Sequence, residues 1–112
     1  MTLKINGEDL ELIYSFRSSI YFEQISNKSL DFDHFTSNDL MTLFYCVVIA
    51  SLQKIKKPIV DMLAFMDMID ENGGDKCVYD FSQWYINAVK TQYEITDTEL
   101  DKADKKKSKK NQ

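Results

Sequence analysis

Few side chains in this 112-residue sequence are of the kind that does chemistry. His34 is the single histidine, and neither a G-x-S-x-G nucleophile turn nor an H-E-x-x-H metal motif accompanies it. Cys46 and Cys77 stand far apart with no C-x-x-C and no companion histidine, which leaves a zinc or redox motif without support. The acids Asp70, Glu71 and Asp75, with Asn72, invite comparison with a calcium-binding loop. Counting from Asp70, however, Asp75 stands where the sharp turn needs Gly, and Phe81 where a bidentate Glu is needed. Glu23, between Phe22 and Ile25, is the acid nearest an apolar run, where burial would raise its pKa for acid/base work; its plain reading is an exposed helix position. No catalytic residue, cofactor or metal ligand is expected from this set, and a protein that works by binding other chains is the default.

The elements that hold these residues are organised around Leu40–Leu52, LMTLFYCVVIASL, with Thr42 and Ser51 its conventionally polar residues. Leu40, Leu43, Phe44, Val47 and Ser51 share one helical line, and Met41, Tyr45, Val48 and Leu52 cover the neighbouring one. A helix over residues 38–53 is therefore apolar almost all round and must be wrapped. Thr36 followed by Asp39 is a capping-box pattern for its start. About 13 residues at ~1.5 Å each give ~20 Å, short of the ~30 Å of bilayer hydrocarbon, so no membrane span is expected.

Residues 2–14 read as a β-hairpin turning at Asn6-Gly7, because both residues tolerate the positive φ of a two-residue type I′ turn. That register gathers Met1, Leu3, Ile5, Leu10 and Leu12 on one face and sets Lys4 opposite Asp9 on the other. A lone ribbon is marginal in water, so its oily face must lie on the helices or pair with another copy. A short helix follows over 16–26, entered through Ser15, with Phe16, Ile20 and Glu23 on one line, Tyr21 and Ile25 on the next, and a stop at Asn27-Lys28-Ser29. The connector carrying Leu30, Phe32 and Phe35 should tuck two aromatics inward. Pro58 suits a helix start, and Ile59, Met62, Leu63, Met66 and Ile69 make the stripe expected to pack, ended by Asn72-Gly73-Gly74. Phe65 and Met68 fall off that stripe and offer either a second packing face or a methionine-rich binding groove. Val78, Phe81, Tyr85, Ala88 and Gln92 mark one face of a fourth helix running to about Glu94, with Asp75 as its cap and Trp84 adjacent. Thr96 with Glu99 is a second capping-box pattern.

Net charge is -4, unevenly placed. From Asp101 onward six Lys against two acids make +4, which leaves -8 on residues 1–100. An acidic body argues against a nucleic-acid surface, though a regulatory protein binding nucleic acid through its lysine tail is one rival reading. No basic segment followed by an apolar one opens the chain, so a reducing cytoplasm is the expected setting. The expected fold is α+β, mainly α: an N-terminal β-hairpin followed by about four helices around the central apolar helix. One globular domain would cover 1–96, with a flexible, disordered Lys-rich tail over 97–112.

The series LKINGEDLELIYSFRSSIYFEQISNKSLDF, the oily FYCVVIASL helix and the later DENGGDKCVYDFSQWY together resemble the tail assembly chaperones of long-tailed phages and prophages. The family's "xINGxxxEL" ribbon corresponds to Ile5-Asn6-Gly7 with Glu11-Leu12, and its "FRxxxxFE" helix to Phe16-Arg17 with Phe22-Glu23. Its "TGKS"-like turn corresponds to Ser26-Asn27-Lys28-Ser29, where Asn27 stands in place of the common Gly. The resemblance covers about residues 2–90. It implies a non-enzymatic protein that coats the long helical tape measure protein and keeps it soluble. It also implies help in recruiting major tail (tube) subunits, in the host bacterial cytoplasm, and absence from the mature virion. The family commonly makes a longer product by frameshifting, and Lys105-Lys106-Lys107 could be encoded by a slippery stretch. Partner-binding residues expected on this reading are Leu3, Ile5, Leu10, Leu12, Phe65, Met68 and Trp84. The alternative of the same origin is a structural tail-completion or head–tail joining protein.

Overall fold

A computed structural model describes residues 1–92. The chain divides into two compact units, Met1–Ser82 and Gln83–Gln112. Among the described residues the architecture is α+β and mainly helical, a two-stranded antiparallel hairpin followed by four helices. These are β1 (Thr2–Ile5), β2 (Glu8–Glu11), α1 (Phe16–Ser26), α2 (Ser37–Lys54), α3 (Met62–Glu71) and α4 (75–92). The expected domain end at residue 96, the Thr96–Glu99 cap and the Lys-rich tail lie outside the described residues.

Asn6 and Gly7 join the strands at φ of 52° and 79°, the paired left-handed conformations of a type I′ turn. The register follows from that turn, with Leu3 opposite Leu10, Lys4 opposite Asp9 and Ile5 opposite Glu8. Leu3, Leu10 and Leu12 are buried, and Met1 and Ile5 half-buried. Of the two fates open to the oily face, the chain shows cover by its own helices, β2 lying on α2 and β1 on α3.

Ser15 caps α1 by accepting from the Ser18 amide at 3.3 Å, and Asn27 ends it in the left-handed region at φ 59°. Neither of the two lines expected on α1 is its fully buried face, and on the second Tyr21 is half-buried and Ile25 exposed. Phe16 is 80% exposed and Ile20 half-buried, while Ser18 and Phe22 are fully buried. In the connector Phe35 does tuck in, stacking on Phe22 at 6.1 Å. Phe32, on a single 3-10 turn, stays half out in the water, so one aromatic is inward where two were expected.

The capping box of α2 is complete: Thr36 Oγ1 accepts from the Asp39 amide at 3.1 Å, and Asp39 Oδ2 accepts from the Thr36 amide at 3.0 Å. Lys28 donates to the same carboxylate at 2.6 Å. The Lys28 bond first, and the Thr36 amide second, hold the Asp39 pKa below the usual carboxylate range. Both polar residues inside the apolar run are satisfied. Thr42 Oγ1 donates to the Asn38 carbonyl at 2.9 Å, and the buried Ser51 Oγ accepts from the Ile13 amide at 2.9 Å, tying the exit of the hairpin to α2. The helix ends in a Schellman closure, in which the Lys56 and Lys57 amides return to the carbonyls of Gln53 and Leu52. Lys56, not a Gly, takes the left-handed position at φ 60°.

Phe44 is the centre of the core. It stacks flat on Phe81 of α4 at 4.1 Å and makes an edge-to-face pair with Phe65 of α3 at 5.1 Å. The inward line of α4 in the first unit is Cys77 and Phe81, with the expected Val78 only half-buried. The position before α4 is Gly74, whose carbonyl accepts from the Val78 amide, so Asp75 falls in the first turn where a carboxylate suits the dipole. In the second unit residues 83–92 are helical, Tyr85 is buried, and half-buried Trp84 lies 6.3 Å from its ring. Gln92, expected on the inward face, is exposed.

Candidate functional site

Asp61 decides where α3 begins. Its carboxylate accepts from the Ala64 amide at 2.8 Å, so the helix starts at Met62 and the segment from Pro58 is left non-helical. The Tyr45 hydroxyl holds that segment by donating to the Val60 carbonyl at 2.7 Å. Burial, and then the charge of Asp61, raise the Tyr45 pKa, which keeps the phenol a donor. At the other end Asn72 bonds the outer edge of β1 twice: its Oδ1 accepts from the Lys4 amide and its Nδ2 donates to the Lys4 carbonyl, each at 2.8 Å. Nothing in the spacing of the sequence pointed to that pairing. The Gly74 amide returns to the Ile69 carbonyl at 2.8 Å and closes the helix.

With both ends fixed, the two apolar faces of α3 are exchanged relative to the sequence expectation. Phe65, Met68 and Ile69 are buried, and Phe65 meets the rings of both Phe44 and Tyr45. Of the stripe expected inside, only Ile69 is buried; Ile59, Met62, Leu63 and Met66 are exposed, Leu63 to 71%. The acids carry the signal that could have shown this. At about 100° per residue, Asp67, Asp70 and Glu71 centre on the side opposite Phe65 and Ile69, and Leu63 falls between Asp67 and Asp70.

The candidate partner-binding residues therefore divide. Leu3, Leu10, Leu12, Phe65 and Met68 are interior, so they do not present an apolar surface to solvent. Trp84 belongs to the second unit. Ile5 lies half-buried beside an open cleft of about 260 Å³, whose walls include Leu10, Leu52, Ile55, Ile59 and Val60. Glu8 and Lys57, which pair with each other, also line it. Ile55 and Ile59 are exposed at its rim, and three residues further along the chain Met62 opens the outer face of α3. Ile55, Ile59, Met62, Leu63 and Met66 thus form a run of exposed apolar side chains over 55–66, on residues expected in the core or left unassigned, while Phe16, Ile25, Phe32, Tyr79 and Ile86 are exposed elsewhere along the chain.

The other chemistry-bearing groups are accounted for as follows. Nδ1 of His34, whose side chain is 84% exposed, sits 2.8 Å from Asp31 Oδ2. That bond, then the Asp33 amide, lower the Asp31 pKa. Ser29 lines a cleft together with Asp31 and His34, but among the described residues no hydrogen bond joins it to His34. Burial pushes the Cys46 thiol up to about 12 and raises Cys77 as well, so neither is a ready thiolate. Among the described residues no group of three His, Cys, Asp or Glu is placed to hold a metal ion, and no described helix is long and apolar enough to cross a membrane. No family model, curated protein or solved structure matches this chain. The surface over 55–66 is consequently the site with the strongest physical claim to function, since exposed apolar residues that cluster beside a cleft favour contact with another molecule.

Proposed function

We propose that this chain is an assembly chaperone of the phage-tail kind. On this reading it acts by binding: it holds an aggregation-prone, helical tape measure protein in solution in the host cytoplasm and hands it to tube subunits, then departs before the particle is complete. The observation that carries the reading is the exposed apolar run Ile59, Met62, Leu63 and Met66 on a small acidic body with a buried core of its own. Methionine and leucine at such a surface adapt to many partner shapes, which suits coating a long chain at many places. The ribbon at Ile5-Asn6-Gly7 and the helix opening at Phe16-Arg17, through which the sequence resembles that family, agree with it.

Co-expression with a tape measure protein tests the proposal. The tape measure protein should stay soluble with this chain and aggregate without it. Equal solubility in both cases would sink the idea. Mass spectrometry of purified particles separates a chaperone, expected to be absent, from a tail-completion or joining protein, expected to be present.

A further inference from the structure

Along the outer face of α3 the apolar residues are interleaved with charge of one sign. Asp67, Asp70 and Glu71 are exposed beside Met62, Leu63 and Met66, and none of the three forms an ion pair among the described residues. No Lys or Arg occurs between Lys57 and Lys76, so no cation on α3 itself neutralises this face. The acids on the hairpin differ, since Glu8 pairs with Lys57 and Asp9 with Lys4. The adjoining cleft has mainly apolar walls and, at about 260 Å³, is smaller than the ~300–1,000 Å³ of small-molecule sites. It suits an apolar side chain of a partner better than a whole ligand.

We infer that the outer face of α3 docks an amphipathic helix of another protein, one that carries lysine or arginine along the edge of its apolar stripe. The stripe covers Met62, Leu63 and Met66, the cations meet Asp67, Asp70 and Glu71, and one apolar side chain enters the cleft between Ile55 and Ile59. A second copy of this chain is a poor occupant, because a two-fold contact would lay these acids against themselves. The chain's own lysine-rich end supplies the right charge, yet from Asp101 onward it has no apolar residue larger than Ala103 to cover Leu63. The inference names the partner chemistry for the surface proposed above, and rests on that reading only in taking the occupant to be a protein.

Two synthetic helices of about 18 residues, five turns, test it, one with a leucine stripe flanked by lysines and one with glutamates in place of the lysines. Fluorescence anisotropy with the full chain should show the lysine helix binding more tightly by about tenfold or more. Leu63→Glu, checked for folding by circular dichroism, should weaken that binding by about tenfold although it adds a negative charge. Asp67→Lys with Asp70→Lys should turn the preference toward the glutamate helix. Three results overturn the inference: equal binding of the two helices, binding of the lysine helix unchanged or strengthened by Leu63→Glu, or a wild-type dimer in sedimentation that Leu63→Glu dissociates. The two proposals fail separately. Helices that bind as expected beside a tape measure protein left insoluble sink the chaperone reading alone, and the reverse pattern sinks this one alone.

Discussion

On the inner face of α3, Phe65 pairs edge-to-face with Phe44, which in turn lies flat on Phe81; on the outer face, Met62, Leu63 and Met66 stand in water among Asp67, Asp70 and Glu71. Hydropathy hardly distinguishes these faces, because every residue from Met62 to Ile69 except Asp67 is apolar. Two other terms do. An aromatic ring has more area to bury than a methionine and gains from edge-to-face geometry, and a carboxylate without a partner cannot be taken out of water without a large cost. Helix orientation here follows the charges and the rings, and the leftover apolar residues become surface.

The sharpest way to break this comparison is to substitute one residue on each side, beginning with the inner face. Phe65→Ala should cost about 3–5 kcal/mol, since it leaves a hole beside Phe44 and Tyr45 that the surroundings fill only in part. Urea unfolding measures it, and the buried thiols give a second readout. Cys46, with its thiol raised to about 12, should be silent to a disulfide reagent in the native wild type and labelled faster in the variant. A loss under about 1 kcal/mol would mean that the inner face is not the core contact described.

A smaller effect tests what fixes the rotation of α3. Asn72→Ala removes both bonds to Lys4 and should cost about 1–2 kcal/mol, because the edge of β1 then meets solvent alone. The same substitution should speed amide exchange at Lys4 while leaving Phe22 protected, which a general loss of stability would not do.

Smaller again is an acid-dependent contribution from the start of α2. The folded-state pKa of Asp39 is lowered by Lys28 and the Thr36 amide, so its contribution is complete above the ordinary carboxylate range and is lost as pH falls through the folded value. Stability of the wild type should therefore decline below about pH 4, and Asp39→Asn should flatten part of that decline. An unchanged pH profile in the variant would contradict the assigned role. Asp67, Asp70 and Glu71 on the outer face form no ion pair among the described residues, and they share no such arrangement with Asp39.

How much of this was legible in the sequence depends on whether the signal was local. Asn6-Gly7, Thr36 with Asp39, Ser15, Asn27 and Asn72-Gly73-Gly74 each state a backbone geometry within a few residues, and the hairpin register and helix boundaries near them follow. The inward faces of α1 and α3 were not legible. Phe16 and Phe22 are equally apolar, so neither line, the one through Phe16 and Ile20 nor the one through Tyr21 and Ile25, marks Phe22 as the ring that packing buries fully. The Ser51–Ile13 bond and the Asn72–Lys4 pair join positions far apart in the chain, and spacing carries no trace of them. For the candidate site the missed signal was present after all, in the acids, whose side of α3 had to be wet.

The smallest expected change is also the one that separates surface from core. Leu63→Glu should alter stability by no more than about 0.5 kcal/mol, the range of surface substitutions away from special features. The side chain is 71% exposed, so little apolar area returns to water, and the new carboxylate is already solvated. Against this, the substitution adds a third like charge between Asp67 and Asp70 at helical spacing, which works in the destabilising direction by a few tenths of a kcal/mol. A measured loss of 2 kcal/mol or more, about what burying a leucine is worth, would put Leu63 inside and return the outer face of α3 to the core.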